Sequence, residues 1–456
     1  NVPMAIRGSS LDSTAQTVVY ADDFLLSNFL GGHSAGARWF MVSPEEIAGA
    51  DILYGPYSAI YPGNSIGGVA TIHTRMPEEF EFHSGGSLYL QKYSDYGTDD
   101  HHFGYKFDLG AGDKKGKFGY YLNYRHFENE APAQSLRAES GLRTPSPSDP
   151  VVTGAYAEID ARGTPRFIYG SIGPRDIAED LVKLKLTYDL NDNWTLTGLF
   201  GYLNRREPQV QPETYLRDLA GNPVYFGNFN YMGNQIRASF QGADRSFLED
   251  FNYALTLKGS FGDGWKLTTT ASFYDLTGTR QRSGDVNNAG VIPGTGTVLR
   301  QDGTGWYTYD IKLAHESDSK PAWLGQKAVF GYHFDNYFRR EVTEDASDWR
   351  KEILTGVNTI TDGQTMTHAL FIENTWALGE EWSLTLGGRQ EFWEAYDGFL
   401  QRGTNARAFE DRDDSYFSPK GSLAWHPNED WEVRFSVGLA KRFPLVDELF
   451  QANFDN

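Results

Sequence analysis

The chain has 456 residues and carries 41 Lys and Arg against 61 Asp and Glu, which gives a formal net charge of −20. This acidic balance argues against a nucleic-acid partner, because proteins bind phosphate backbones mainly through Lys and Arg. A mean hydropathy of −0.51 and the lack of an apolar run approaching about 18 residues exclude membrane-spanning helices, and the absence of Cys excludes disulfides and thiolate chemistry.

Short strand-like segments separated by Gly and Pro fill the first part of the chain, up to Phe82. These segments are residues 4–8, 16–22, 50–56 and 68–74. Between them, Pro44, Glu45 and Glu46 place a Pro and two acids where the first turn of a helix favours them. The pattern predicts a small mixed sheet with a helical turn.

The motif Gly-His-Ser-Ala-Gly at residues 32–36 matches the G-x-S-x-G nucleophile elbow of hydrolases. That elbow requires a strand before it and a helix after it, in a fold where strands and helices alternate. Residues 37–42 show no helical periodicity, and most of the chain is strand-like. We therefore interpret the motif as a flexible Gly-rich loop and expect that the chain is not an enzyme.

Apolar and polar residues alternate regularly in the rest of the chain, and most clearly at residues 181–202. Between residues 182 and 190 the even positions are apolar and the odd positions are polar, which is the period of a strand. Asn191, Asp192 and Asn193 tolerate a tight reversal. Trp194 then opens a second alternating segment, so these residues predict a β-hairpin.

A short polar turn followed by Trp and an alternating segment recurs along the chain. The Trp residues of this repeat are Trp194, Trp265, Trp382 and Trp431, with a looser copy at Trp323. Their spacing varies, which predicts short turns at one end of the strands and loops of variable length at the other. A membrane imposes this asymmetry on an antiparallel barrel, in which these Trp side chains would form an interfacial girdle.

Thirteen long strands are predicted in this second region. They run at about residues 84–92, 103–112, 117–127, 180–190, 193–205, 247–260, 264–279, 305–314, 325–342, 364–378, 381–396, 415–426 and 430–440. Barrels of a single bacterial chain have an even number of strands, and an open edge in lipid leaves backbone groups unpaired. We therefore expect this chain to be a fragment. Long outer loops are predicted at about residues 128–179, 206–246, 280–304, 343–363 and 397–414, where we expect ligand to be gathered.

An ordered set of motifs between Ile6 and Val69 resembles the plug domain of TonB-dependent outer-membrane receptors. The set is Ile-Arg-Gly at residues 6–8, Tyr-Ala-Asp-Asp at 20–23, Pro-Glu-Glu-Ile at 44–47, Tyr-Gly-Pro-Tyr-Ser-Ala-Ile-Tyr at 54–61 and Ile-Gly-Gly-Val at 66–69. Residues 440–450 are similar to the stretch that leaves a mid-barrel strand in that family. The resemblance covers the whole chain.

The resemblance implies a mainly β fold: a large antiparallel transmembrane β-barrel, with about 13 of 22 strands present, and a small mixed α/β plug domain inside its lumen. Residues 1–82 would be the C-terminal part of the plug and residues 83–456 the N-terminal part of the barrel. The TonB box and the start of the plug would precede Asn1, and a signal peptide would be missing as well. The remaining strands would follow Asn456.

The family's function implies a receptor in the outer membrane of a Gram-negative bacterium. It would contact outer-membrane lipid and bind a scarce solute, such as a ferric siderophore or another metal chelate. It would import that solute with energy from TonB, ExbB and ExbD, and no cofactor is implied. Two rival classes share parts of the pattern: a passive porin or adhesin barrel lacks the segment that precedes the long strands, and a soluble β-rich carbohydrate-binding protein or hydrolase has shorter strands.

The family also suggests roles for individual residues. In the plug loop at residues 28–42, the side chains suited to an anionic or aromatic chelate are His33, Arg38, Trp39 and Phe40. The alternative is that Trp39 and Phe40 pack against the barrel wall. Plug seating is assigned to Arg7, Gly8, Gly55, Pro56, Gly67 and Gly68. Tyr54 stands where the family has a second Arg, and the barrel acids that complete the seat are expected beyond Asn456.

One further candidate site is the pair His101 and His102, which follows Asp99 and Asp100 in a predicted outer loop. Imidazole rings bind transition metals. Neighbouring residues rarely place both rings on one ion, however, and the alternative is a solvated acidic loop without function.

Overall fold

The computed structural model describes residues 16–31, 36–133, 135–209, 211–240, 242–316 and 325–450. Four residues singled out in the sequence, Arg7, Gly8, His33 and Trp323, lie outside these ranges. The described residues are mainly β-strand and form a small mixed sheet and one large antiparallel sheet. The predicted fold class is therefore confirmed.

Residues 16–74 form a small unit, which we call the plug. Its strands are β1 (Thr17–Ala21), β2 (Phe24–Leu25), β3 (Ser27–Asn28), β4 (Gly36–Ala37), β5 (Ile47–Tyr54) and β6 (Gly68–Thr74), and single turns of 3-10 helix span Trp39–Met41, Pro44–Glu46 and Gly63–Ser65. The main plug sheet has the order β2-β1-β6-β5. Strands β1 and β6 are parallel and the other neighbours are antiparallel, so the sheet is mixed as the sequence predicted.

The remaining elements follow in chain order. They are β7 (Glu81–Asp95), β8 (Thr98–Lys115), β9 (Phe118–Asn129), β10 (Leu136–Ser140), β11 (Tyr156–Ile159), β12 (Pro165–Ser171), β13 (Ile177–Asn191), β14 (Trp194–Gln209), β15 (Glu213–Thr214), β16 (Gly227–Tyr231), β17 (Asn234–Ala238), β18 (Ala243–Phe261), β19 (Trp265–Asp275), β20 (Arg280–Gly284), β21 (Gly296–Arg300), β22 (Gly305–Glu316), β23 (Lys327–Asp348), β24 (Ile353–Leu378), β25 (Trp382–Arg402), β26 (Asn405–Ala408), β27 (Arg412–Asn428), β28 (Trp431–Gly438) and the helix α1 (Val446–Phe450). We propose that the boundary between the plug and the large sheet lies within residues 75–80, between β6 and β7. The sequence predicted that the plug ends slightly later, at residue 82.

Sixteen of these strands form the large antiparallel sheet, which we call the wall. Strand β20 follows β19 after a short break, and β21 precedes β22 in the same way. Strand β26 pairs with the outer end of β25 and precedes β27, which pairs with the rest of β25, so 16 − 3 = 13 strands run along the wall. Side chains on β8, β13, β18, β24 and β25 all contact the plug. The wall therefore curves around the plug.

Alternation gives the wall two faces of different chemistry. Strand β13 pairs with β14 from Ala178 to Asn191, which confirms the predicted hairpin. On β13, Leu181 and Lys183 are buried against the plug, whereas Tyr188 and Leu190 on the outer face are 47% and 46% exposed. Large apolar side chains are exposed around the rest of the outer face, for example Leu88, Leu90, Leu255, Leu370, Phe417 and Phe435.

The strands near the middle of the wall are much longer than a bilayer requires. Strand β24 has 26 residues, whereas about 9–11 residues suffice to cross. The predicted loop at residues 343–363 is wrong, because β23 and β24 stay paired up to Asp348 and Ile353. The predicted loop at 397–414 is similarly reduced, because β25 runs to Arg402 and β27 begins at Arg412. Across a bilayer, strands of this length would therefore continue beyond the membrane.

Two predicted outer loops, residues 128–179 and 206–246, contain regular structure of their own. Strands β10, β11, β12 and β15 form one sheet, and β16 and β17 form a hairpin. A separate apolar core joins the two loops, with Phe167 and Tyr169 from one and Leu216, Phe229 and Ile236 from the other. These predicted loops therefore contain strands that the sequence did not predict, and each buries apolar side chains against the other.

Four of the five Trp residues of the repeat lie in the described ranges, each at the start of a wall strand. Trp194, Trp265, Trp382 and Trp431 open β14, β19, β25 and β28, directly after short turns. On β19, Phe273 lies on the same face as Trp265, eight positions further along the strand. That separation corresponds to about 27 Å of strand, or to about 21 Å along the barrel axis at a tilt of about 40°.

Phe273 belongs to a band of outer-face aromatic rings. Its neighbours include Tyr253 and Phe338, both with ring centroids 6.3 Å from Phe273, and Tyr307 lies 6.1 Å from Phe338. The spacing between this band and the Trp end of the wall suits an apolar layer of about 25 Å flanked by two girdles. The girdle role remains a prediction. None of the described helices is long and apolar enough to cross a bilayer.

Candidate functional site

Plug carboxylates meet lysines on one part of the inner face of the wall. The pairs are Glu46 with Lys183 at 2.7 Å, Asp22 with Lys185 at 2.9 Å, Asp23 with Lys258 at 2.6 Å, and Glu45 with Lys106. The Glu46–Lys183 pair is almost fully buried, with side-chain exposures of 3% and 4%. Since the lysines lie on β8, β13 and β18, this part of the wall presents positive charge to a negatively charged surface of the plug.

These contacts determine the ionisation of two plug acids. Burial of Asp22 disfavours its charge, but Lys185 and two hydrogen bonds from Thr74 outweigh burial, so the pKa of Asp22 is lowered. Burial also opposes the charge of Glu45, but a hydrogen bond from Lys106 and one from Ser43 lower its pKa. Both carboxylates therefore remain charged at neutral pH.

Elsewhere on the wall the polarity of the contacts is reversed, because wall acids accept from the plug backbone. Glu373 Oε2 accepts from the Ala59 N–H at 2.8 Å, and Glu391 Oε1 accepts from the Gly63 N–H at 3.2 Å. Glu373 and Glu391 lie on β24 and β25. The acids expected beyond Asn456 are partners of a plug arginine, so that expectation stays a prediction beside these two backbone contacts.

An arginine of the wall completes this second seat. Arg389 donates from Nη1 to the Ile60 carbonyl at 3.2 Å and from Nε to Glu391 at 2.9 Å. At Gly63 the backbone of Lys441 approaches so closely that an added Cβ would overlap its carbonyl oxygen. Glycine is therefore required where the plug meets the wall at this point.

The described residues assigned to plug seating lie at the base of the loop that makes these contacts. The Gly55 N–H donates to the Gly67 carbonyl at 3.2 Å, which closes the loop of residues 55–67. Gly55 has a φ of +76°, which favours glycine. Pro56 follows it, and Gly68 begins β6. We retain these four residues as proposed positioning residues for the seat.

A cavity of about 200 Å³ lies between the plug and the outer part of the wall, and we call it the apical cavity. Its lining includes Leu30, Gly31 and Arg38 from the plug and Arg280, Arg339 and Glu341 from the wall. The charged lining residues are three Arg and one Glu, so the lining carries a net charge of 3 − 1 = +2. Guanidinium groups bind carboxylates and phosphates in bidentate geometry, so this lining is suited to an anionic group.

Each of these arginines already contacts a carboxylate of the protein. Arg38 Nε lies 4.0 Å from Asp250 Oδ2, and Arg280 Nη1 lies 3.1 Å from Asp302 Oδ1. Arg339 lies 3.1 Å from Glu341 and also pairs with Asp447. An anion that enters the apical cavity therefore competes with carboxylates of the chain itself.

The structure separates the residues that the sequence grouped in the plug loop. Arg38 lines the apical cavity although only 1% of it is exposed. The ring of Phe40 lies 5.5 Å from the guanidinium of Arg38 and 5.5 Å from that of Arg205 on the wall. Trp39 is half-buried and packs against the apolar core shared by plug and wall. Trp39 and Phe40 thus follow the packing alternative, and of the described residues in this group only Arg38 lines the cavity.

Residues 443–450, which we call the strap, pack across the plug beside the apical cavity. The Asp447 N–H donates to the Leu30 carbonyl at 3.0 Å, and the Asp447 carboxylate accepts from Arg339. Phe443 is buried and stacks on Trp393 of β25. The strap therefore connects the plug apex to a wall arginine.

His101 and His102 lie within β8 instead of a loop, because β7 and β8 are joined by a two-residue turn at Tyr96 and Gly97. Successive strand residues point to opposite faces, so the two imidazole rings diverge. Within the described ranges, no group of three or more His, Cys, Asp or Glu side chains is arranged to hold a metal ion.

Sequence reasoning missed Arg280 and Arg339 as cavity residues. Arg280 fell in a predicted loop, and Arg339 fell in a predicted strand among many polar residues. Alternate residues of a strand share a face, and Tyr337 is buried on the inner face of β23. Arg339, two positions later, therefore lies on that face as well. The meeting of both arginines with Arg38 depends on the docking of the plug, which local sequence does not encode.

Two family models match the sequence. The model described as "TonB-dependent Receptor Plug Domain" matches residues 2–69. The model described as "TonB dependent receptor-like, beta-barrel" matches residues 187–456, which is more than half of the chain. No curated protein sequence is a significant match.

Several solved structures share the fold. The unliganded ferric citrate transporter FecA has 15% identity and a TM-score of 0.62, and the match covers 95% of this chain and 55% of that one. The ferric yersiniabactin uptake receptor FyuA from Yersinia pestis has 14% identity and a TM-score of 0.55, with coverage of 92% and 54%. The copper transporter OprC has 12% identity and a TM-score of 0.56, with coverage of 94% and 56%. The chain thus spans about half the length of these proteins, and identities this low show the fold alone.

Proposed function

This chain belongs to the TonB-dependent receptor family, whose barrel model matches more than half of it, and on that premise we propose that it binds and imports an anionic metal chelate, such as a ferric siderophore. Members of this family are outer-membrane proteins of Gram-negative bacteria, so the chain resides in that membrane. The proposed chemistry is binding and transport, and no bond in the solute is made or broken.

The apical cavity is the observation that carries this proposal. It lies between the plug and the outer part of the wall, and Arg38, Arg280 and Arg339 give its lining a positive charge. A chelate with carboxylate, catecholate or hydroxamate oxygens that retains negative charge would be held by these guanidinium groups. Two of the solved neighbours are described as handling ferric complexes and one as a copper transporter.

The size of the apical cavity favours either a small chelate or a conformational change that enlarges the cavity. Ligand pockets usually measure about 300–1,000 Å³, whereas the apical cavity measures about 200 Å³. A compact ferric carboxylate complex is closest to the present volume. A larger siderophore would require the strap to leave its contact with Leu30 and Arg339.

The plug explains why transport would need energy. It is seated on several wall strands by ion pairs and by hydrogen bonds to its backbone, whereas a passive porin needs an open lumen. Each polar contact contributes modestly to stability because water replaces it when it breaks. In our proposal TonB, powered through ExbB and ExbD, pulls the plug out of these contacts.

Gene deletion in cells starved of one nutrient at a time tests the assignment. The complete gene would be deleted, and growth and expression would be compared under limitation of iron, copper, zinc or cobalamin. We expect induction under iron limitation and loss of radioactive iron uptake in the deletion strain, with uptake abolished by a protonophore in the parent. A response to copper, zinc or cobalamin without a response to iron would remove the ferric chelate as the solute.

A further inference from the structure

Two cavities lie along the inner face of the same wall strand, β18. Ser246 and Leu248, near its outer end, line the apical cavity. A second cavity of about 110 Å³ is lined by Ala254, Thr256 and Lys258, nearer the short-turn end. We call it the lower cavity, and it lies between β18 and the plug segment that joins β1 to β2.

Only two inner-face positions of β18 separate the cavities. Since alternate residues share a face, the positions between Leu248 and Ala254 are Asp250 and Asn252, which are 0% and 1% exposed. Arg38 of the plug faces them, with its Nε 4.0 Å from Asp250 Oδ2. The two cavities are therefore divided by a polar contact between plug and wall.

This contact leaves buried polar atoms without partners, as does the seat at Arg389 and Glu391, where Arg389 Nη2 and Glu391 Oε2 lack one within the part of the chain that the structure describes. Tyr274 donates its hydroxyl to Asp250 Oδ2 at 2.6 Å. Among the described residues, however, Arg38 Nε, Asp250 Oδ1 and Asn252 Oδ1 are buried without a hydrogen-bond partner. Buried polar atoms without partners are costly, and their presence in a native structure calls for a physical reason.

The other seat of the plug offers no comparable space. The cavity at β24 and β25 measures about 30 Å³ and includes Gly63, Thr365 and Glu391 in its lining. The direct hydrogen bond from Gly63 to Glu391 crosses that part of the interface. A route through the lumen that follows existing space therefore runs along β18.

We propose that Arg38 and Asp250 form a gate between the apical and lower cavities, on a route for the solute along the inner face of β18. An anion in the apical cavity attracts Arg38 away from Asp250, and that movement joins the two spaces. Beyond the gate, Lys185 and Lys258 line the lower cavity together with their ion-pair partners Asp22 and Asp23, so an anion there competes with two plug carboxylates. The gate proposal rests on the proposed transport function. Its test uses no ligand, so the gate and the transport function can be contradicted by separate results.

Cysteine labelling tests the gate in the complete receptor. The described chain has no native Cys, so Thr256→Cys in the lower cavity gives a single reporter if the complete receptor is also free of Cys. Thr365→Cys on β24 is the matched control, because the two threonines are 7% and 5% exposed. Intact porin-deficient cells would be treated from outside with the anionic reagent 2-sulfonatoethyl methanethiosulfonate, and the rate of labelling would be measured.

Asp250→Asn is the variant that opens the gate. It keeps the shape and the hydrogen bond from Tyr274 but leaves the Arg38 cation without its buried counter-charge, so Arg38 moves into the apical cavity. We expect the rate at Thr256→Cys to rise at least about tenfold, with a change of less than about twofold at Thr365→Cys. Arg38→Gln removes the other partner and should produce the same selective increase, so it reports on the gate if Asp250→Asn does not fold.

Two outcomes overturn the proposal. An equal increase at both reporter positions means that the plug has loosened as a whole and that no local gate exists. An unchanged rate at Thr256→Cys in both gate variants means that the Arg38–Asp250 contact does not control access to the lower cavity. Heat-modifiable migration on gels checks that each variant retains a folded barrel.

Discussion

Glu46 of the plug accepts from Lys183 of β13 at 2.7 Å, and both side chains are almost fully buried. The same carboxylate oxygen accepts from the Ser43 N–H at 2.8 Å. This contact fixes the 3-10 turn at Pro44–Glu46 to the wall. It is the most buried of the four ion pairs described above between plug acids and wall lysines, and it therefore offers the clearest test of how the plug is held.

Lys183→Met should destabilise the docked plug by about 3–5 kcal/mol, because it leaves the Glu46 charge buried without a partner. The double variant with Glu46→Gln should recover most of that loss. Hydrogen exchange of the β1 and β6 amides in the complete receptor measures the effect. Lys266→Met, at a lysine that is 65% exposed, should change protection by less than about 0.5 kcal/mol. Equal loss in the single and double variants would contradict an ion-pair role.

Asp22 should make plug docking sensitive to acid. Its pKa is lowered in the folded protein, chiefly because Lys185 and Thr74 outweigh burial. A carboxyl with a lowered pKa stabilises the fold above its unfolded pKa of about 3.9, and that stabilisation is lost as pH falls through the lowered value. Asp22→Asn should therefore reduce the melting temperature at pH 7, and its difference from the parent should shrink below about pH 4. A difference that stays constant with pH would show that charge is not involved.

Asp447→Asn should tighten the binding of an anionic chelate by about 3- to 10-fold, because Arg339 loses a competing carboxylate. The matched control is Glu448→Gln on the same short helix, where Glu448 pairs with Arg442 at 2.7 Å on the surface. Equilibrium binding of the chelate identified by uptake gives the measurement. Weaker binding in Asp447→Asn would instead assign the strap a direct role in holding the solute.

A charged substitution on the outer face of the wall should destabilise the protein only where lipid covers that face. Leu255 is 54% exposed on β18 and Leu219 is 79% exposed in the outer segments. Leu255→Arg should cost about 2–4 kcal/mol, the range for an arginine near the bilayer midplane, whereas Leu219→Arg should cost less than about 0.5 kcal/mol. Urea unfolding in lipid vesicles measures both variants. Equal costs would contradict the membrane orientation of the wall.

The wall was predictable because its chemistry is local. Along β13, the even positions from Val182 to Leu190 lie on the outer face and the odd ones on the inner face, where Lys183 and Lys185 contact the plug, so alternation reveals both the strand and its faces. Polar turns of two or three residues marked where one strand ends and the next begins. This information does not depend on which distant segment packs against the strand.

The outer segments were not predictable in the same way. Phe167 and Leu216 pack in one core although they belong to different loops that are far apart in sequence. Their strands are short, and their burial comes from contact between two loops instead of from a periodic pattern. A similar limit applied to Glu373 and Glu391, whose plug partners are backbone N–H groups that leave no mark in the sequence.

The candidate site was only partly predictable for the same reason. Arg38 was recognised because guanidinium groups suit anionic ligands, and it lines the apical cavity. Trp39 was selected with it on residue type, but the 3-10 turn at Trp39–Met41 directs it into the apolar core. Residue type identified the loop, whereas the register of that turn decided which side chain reaches the cavity.

The most direct test of the account is the affinity of the complete receptor for its transported chelate after substitution of cavity and core residues. We predict that Arg38→Ala, Arg280→Ala and Arg339→Ala each weaken binding at least about tenfold, since a charge-assisted hydrogen bond contributes about 1.5–3 kcal/mol. Trp39→Ala, outside the cavity, should change affinity by less than about threefold. Unchanged affinity in all three arginine variants, with a large loss in Trp39→Ala, would contradict the assignment of the apical cavity as the solute site.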